Sequence, residues 1–248
     1  MAKLRITDYL TELKTEAAGL RSACGPEALG RVAPSRPDST VGGILLELAR
    51  EYRWAVEALF TRPTDDEDLP QPPPVTAEGT AVLDVYDQAL ASVLDAIEAR
   101  GADSPAWTWA PVEWRAEFWH RRVAVATGLA RWDVQMAVGS TAPVPAALAA
   151  EAISEVFEAF LPVGARRGAH PEATGLVQLF AQDADSTWFV RLREGRVALL
   201  DQPDSRTELQ ARAAGSASDI ALALWGRLPF GICDVAGDEA LLQALRVE

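Results

Sequence analysis

Apolar residues recur every three to four positions through most of the first 160 residues. That is the period of helices with one buried face. Leu4, Tyr9, Leu10, Leu13, Ala17 and Leu20 predict a first helix. A loop rich in Gly and Pro follows and ends at Pro37-Asp38-Ser39-Thr40, residues that cap helix N-termini. A second helix is predicted over about 41–60, with Ile44, Leu45, Leu48, Tyr52, Val56 and Leu59 as its buried stripe. The stretch TRPTDDEDLPQPPP cannot continue it, because proline removes a backbone donor and blocks the preceding turn. A third helix over about 77–100 ends at Gly101, a fourth covers about 113–138, and a shorter one covers about 146–160.

From about residue 174 the period changes. GLVQLFAQD, TWFVRLREG and RVALLDQP are short apolar or alternating runs bounded by Gly, Asp and Pro, which predicts strands joined by hairpins. ASDIALALWGRLP and GDEALLQAL return to helix. The pattern predicts an α+β chain, a four-helix bundle over 1–162 followed by a small α+β domain over 170–248.

Composition narrows the partners. The 248 residues carry 23 Lys and Arg against 36 Asp and Glu, a net charge of −13. Such a surface repels nucleic-acid phosphates and anionic membranes, so neither is an expected partner. No apolar run reaches the roughly 18 residues that span a bilayer, and the start reads as an amphipathic helix rather than a signal peptide. Cys24 and Cys233 form no CxxC pair and are expected to be reduced, which suits a cytoplasmic protein.

The fourth helix is unusual at its centre. RRVAVATGLARWDVQM has a core-facing line that is almost all alanine, glycine and threonine. Three stretches give that line a context: STVGGILLELAREYRW, EFWHRRVAVATGLARWD and GSASDIALALWGRLP with VAGDEALL. Together they resemble the actinobacterial mycothiol-dependent maleylpyruvate isomerase family of the DinB-like superfamily. Arg-Trp-Asp at 131–133 and Leu-Trp-Gly-Arg at 224–227 are the most specific matches. The resemblance implies a DinB-like four-helix bundle and a sterol-carrier-like C-terminal unit. It also implies a divalent metal held by a His on the second helix and by a Glu and a His four apart on the fourth. The matching positions here are Glu47, Ala126 and Ala130. No metal or other cofactor is therefore expected, and mycothiol dependence weakens with the metal. Neither histidine rebuilds the site. His170 lies in the connection outside the bundle, and His120, six residues from Ala126, stands about 240° away round the helix, at what reads as an exposed position.

Glu47 has Ile44, Leu45 and Leu48 beside it, so its carboxylate is expected to face the bundle interior and serve as the acid–base group. The alternative is a solvent-facing carboxylate paired with a cation. Ala126 and Ala130 are expected to leave a cavity, with Tyr52, Trp54, Trp109 and Trp119 as candidate ligand contacts; a plain core or an aromatic lid is the competing reading. Arg131 and Asp133 read as ties from the fourth helix to its neighbours. Asp65 to Asp68 lack the glycine and spacing of a calcium loop. The resulting expectation is a metal-independent enzyme acting on a small aromatic or polyketide-like metabolite of secondary metabolism by acid–base or proximity catalysis, such as isomerisation or cyclisation. A non-catalytic small-molecule-binding or self-resistance protein is the first alternative, and a mycothiol-dependent isomerase or transferase the second. Oligomeric state is left open.

Overall fold

The computed structural model describes residues 6–61, 72–166, 173–203 and 208–247. The acidic run Asp65 to Asp68 and His170 lie outside the described residues. Contacts divide the chain into two units, one through Ala142 and one from Pro143 onward.

The first unit is a four-helix bundle. Helix α1 (Ile6–Ala23) buries Tyr9, Leu13, Ala17 and Leu20, one line at helical spacing. Helix α2 (Val41–Phe60) starts where the cap residues place it, with the Thr40 hydroxyl accepting from the Gly43 amide. Helix α3 (Ala81–Ala99) packs Val82, Tyr86, Ala89, Val93 and Ile97 inward. Helix α4 (Ala116–Val138) is the most enclosed and ends at Gly139, whose φ of 78° is a left-handed cap. Its mixed burial explains why periodicity alone defines it poorly: Arg121, Arg122, Arg131 and Asp133 are buried beside its apolar residues.

The segment expected to be loop before α2 contains two short antiparallel strands, β1 (Val32–Ala33) and β2 (Arg36–Thr40), joined across Pro34-Ser35. Its ends are tied to the helix start, the Val41 amide donating to the Arg31 carbonyl and the Gly42 amide to the Leu29 carbonyl. Ala33 is fully buried, so the hairpin covers part of the bundle.

In the second unit, α5 (Ala146–Glu155) runs into a π-helical turn at Val156–Phe160 and then α6 (Leu161–Arg166). The expected boundary near 162–170 grouped these helices with the bundle, whereas the contacts group them with the sheet. The reason lies in two tryptophans: the Trp188 indole donates to the Ser154 hydroxyl and the Trp225 indole to the Ala152 carbonyl, both at 3.0 Å. Strands β3 (Gly175–Ala181), β4 (Ser186–Arg193), β5 (Arg196–Leu200), β6 (Ala211–Gly215) and β7 (Asp234–Gly237) form one sheet in the order β5-β4-β3-β6-β7. Only the β3–β6 pair is parallel. Helices α7 (Ala217–Leu224) and α8 (Glu239–Gln243) complete the unit, each opened by a side-chain cap, Ser216 and Asp238.

Candidate site on the second and fourth helices

Two contacts set the register of α2 against α4. Trp54 lies 5.4 Å from Trp119 between ring centroids, and the Arg122 Nε donates to the Glu51 carboxylate at 2.9 Å. Stepping back along α2 from Trp54 to Glu51 means stepping forward along α4 from Trp119 to Arg122, so the helices run antiparallel. One further turn places Glu47 opposite Ala126, and the next places Gly43 opposite Ala130. Residues 47, 51 and 54 share one stripe of α2, as 119, 122, 126 and 130 share one of α4.

By that register Glu47 and Ala126 fall at the same level of the two helices, but Glu47 is not in the arrangement expected. Glu47 does not face the interior. Its side chain is 57% exposed, and its Oε2 accepts from Arg36 Nη2 at 2.7 Å. On the helix wheel, position 47 falls on the line of Gly43 and Glu51, at least about 100° from the line of Leu45, Leu48 and Tyr52. Arg36 comes from β2, a segment read from sequence as plain loop. The hairpin is fixed to α4 by Ser35, whose hydroxyl donates to the Asp133 carboxylate at 2.7 Å. Ala130 is buried and Ala126 partly exposed, so the small-residue face opens to solvent at Ala126.

Tyr52 and Trp119, expected to touch a ligand, are fully buried with their polar atoms bonded inside the protein. The Tyr52 hydroxyl donates to Thr127 Oγ1 at 2.6 Å, and Thr127 in turn donates to the Val123 carbonyl. Burial pushes the Tyr52 hydroxyl well above the usual tyrosine range, so it stays a phenol and a donor. The Trp119 indole donates to the Trp107 carbonyl at 2.6 Å. Trp54 packs against both Trp107 and Trp119, while Trp109, half-buried, stands edge-on to Phe118. These rings form a packed wall beside the seam, which is the core reading of the tryptophan cluster for all but the rims of Trp54 and Trp109.

His120 is a correction. It is buried rather than exposed, and its Nε2 donates to the Arg100 carbonyl at 2.9 Å. Burial holds its pKa below the usual histidine value. Arg131 is the tie expected of it: its Nε reaches Glu16 on α1 at 2.6 Å, and its Nη1 reaches Gln135 and the Ala142 carbonyl. Gly19 is where this guanidinium stem lies against α1, since a Cβ there would stand 3.0 Å from Arg131 Cδ.

With this geometry in place, known proteins give it a frame. Residues 147–244 match the family model of the MDMPI C-terminal domain. The whole chain has the fold of a solved mycothiol-dependent maleylpyruvate isomerase, at TM-score 0.62 and 13% identity over 92% of this chain and 93% of that one. A histidine-to-alanine mutant of a mycothiol-dependent maleylpyruvate isomerase matches at TM-score 0.59 and 13% identity, over 95% of this chain and 96% of that one. Comparison with curated protein sequences gives no match. The α+β maleylpyruvate isomerase fold expected from the sequence is thus the observed one.

The residues at the implied metal positions do not fit a metal ion. Ala126 and Ala130 offer methyl groups, which have no lone pair to donate, and the carboxylate of Glu47 is engaged by Arg36. Among the described residues, no group of three or more His, Cys, Asp or Glu is placed to hold one. No helix among those residues is long and apolar enough to cross a membrane.

Proposed function

We propose that this protein is a metal-independent relative of the maleylpyruvate isomerases that works on a small molecule at the seam between α2 and α4. The observation that carries this reading is the chemistry at the implied ligand positions, methyl groups at Ala126 and Ala130 and a Glu47 already committed to Arg36. A seam lined by small side chains and without metal donors can still hold a planar aromatic or polyketide-like metabolite. Turnover there, an isomerisation or cyclisation, would rest on positioning, with Glu47 as the proton carrier. The exposed ion pair of Glu47 favours a second reading, a small-molecule-binding or self-resistance protein with no chemistry. Mycothiol dependence, a property of the two solved isomerases, lacks support from these side chains, because a thiol is activated by a cationic centre that Ala126 and Ala130 cannot hold.

The test has two parts. Elemental analysis of the purified, dialysed protein is expected to show no stoichiometric divalent ion; about one tightly held zinc or nickel per chain defeats the metal-free reading. A metabolite library is then screened by native mass spectrometry against the wild type and Ala126→Leu, which fills the seam. Ligands of the site are expected to bind the wild type and fail with the variant. For a turned-over ligand, Glu47→Gln is expected to lower kcat by roughly 10²–10⁴ while binding persists. A bound ligand recovered unchanged assigns the non-catalytic reading.

A further inference from the structure

The Arg36–Glu47 pair is asymmetric. The arginine side chain is 29% exposed and the glutamate 57%, so the cation is the better covered partner. Arg36 is also the better anchored, since its hairpin is pinned at the adjacent Ser35 to Asp133 and at its base to Arg31 and Leu29. Only Nη2 of the guanidinium is bonded to Glu47, and among the described residues Arg36 has no second partner. Its remaining donors are unspent. Neighbouring arginines are committed differently: Arg131 is divided among Glu16, Gln135 and Ala142, Arg100 between the Leu59 and Pro105 carbonyls, and Arg122 is held by the covered Glu51.

An independent feature lies on the same stripe of α2. The Trp54 indole N–H is buried and, among the described residues, has no hydrogen-bond partner, and the side chain as a whole is 7% exposed. A buried donor without a partner is costly.

We propose that Arg36 is a protein-borne cation that binds the oxyanion of a small ligand on the α2–α4 seam, with the ligand's carboxylate or enolate oxygen competing with Glu47 for the guanidinium. This inference rests on the metal-free small-molecule reading above and gives that ligand a charge. A guanidinium matches a planar carboxylate with two parallel N–H donors, which a single contact to Glu47 leaves unused. In this arrangement Glu47 keeps Arg36 neutralised until an anion arrives. The same positive charge at the edge of the seam disfavours a divalent cation there.

Benzoate and its neutral isostere benzamide serve as probes, titrated into the full-length protein and followed by NMR at the Ala126 and Ala130 methyls and the Trp54 indole proton. Benzoate is expected to shift these signals with millimolar affinity, and benzamide to bind at least about tenfold more weakly. Arg36→Gln is expected to weaken benzoate about 10- to 100-fold, the size of a lost charge-assisted bond. Arg36→Lys, which keeps the charge but not the fork, is expected to fall between. Glu47→Gln removes the competing anion and is expected to tighten benzoate about two- to fivefold, the worth of an exposed ion pair. Benzoate that shifts none of these signals, or that binds Glu47→Gln no more tightly than wild type, overturns the proposal even if Arg36→Gln disturbs the hairpin. Benzoate and benzamide binding alike overturns it too, while leaving the metal-free site standing; a stoichiometric metal defeats that site itself.

Discussion

His120 shows how one buried side chain sets a pH limit. It is 4% exposed, and this burial favours the neutral ring, whose Nε2–H donates to a backbone carbonyl. In the unfolded chain it titrates near the ordinary value of about 6.5. Its folded pKa is depressed, chiefly by burial, with the Arg100 bond and Glu117 opposing. The stability tied to its neutrality is therefore fully present above about pH 6.5 and is lost as pH falls toward the folded pKa. His120→Gln keeps a donor without the titration. Urea unfolding from pH 7.5 to 5 is expected to show the wild type losing stability on acidification more steeply than the variant, by less than about 1.4 kcal/mol per pH unit for a single proton. Parallel curves would show that His120 carries none of the slope.

Between elements, the stiffest tie is the pair of Arg131 on α4 and Glu16 on α1, each side chain 5% exposed. Burying two charges is expensive and is compensated only while both are present and their remaining donors are bonded, as Arg131 is by Gln135 and Ala142. Arg131→Met strands the Glu16 carboxylate and is expected to cost about 3–5 kcal/mol; Arg131→Met with Glu16→Leu is expected to recover much of that. Chemical denaturation of both variants measures it. A double variant no more stable than the single one would mean that packing against Gly19, rather than charge, is what Arg131 supplies. The β1–β2 hairpin belongs to this scale as well. Its residues, Arg-Val-Ala-Pro-Ser-Arg-Pro-Asp, are poor strand formers, and the strands exist because Ala33 is buried on the bundle and Ser35 is fastened to Asp133.

For the whole molecule, the division after Ala142 makes a prediction that the boundary expected from periodicity does not. A chain ending at Ala142 is expected to be monodisperse, helical by circular dichroism and cooperative in melting, and a chain from Pro143 onward is expected to fold separately. Cutting after residue 162 instead takes α5 from the sheet, leaves Trp188 and Trp225 without Ser154 and Ala152, and exposes Leu148, Ile153 and Phe157 on the other fragment. Both pieces of that cut are expected to aggregate. Size-exclusion chromatography of the four fragments decides between the two boundaries.

Periodicity was enough for α1, α2 and α3 and for β3 and β4, because each buries one face that local sequence must write out. α2 even begins and ends where its caps and proline linker place it. The resemblance carried by the Arg-Trp-Asp and Leu-Trp-Gly-Arg stretches reached the fold, and it is from the residues that Glu47, Ala126 and Ala130 were matched to the three implied ligand positions. What stayed hidden depends on partners distant in sequence. Strand β6, Ala-Arg-Ala-Ala-Gly, has no strand-like composition and is recruited by parallel pairing to β3. The direction of Glu47 could not be read from its apolar neighbours, because a residue one helix position away from a buried line points about 100° aside. Only the folded hairpin puts Arg36 within hydrogen-bond reach of it, eleven residues back along the chain and on another element.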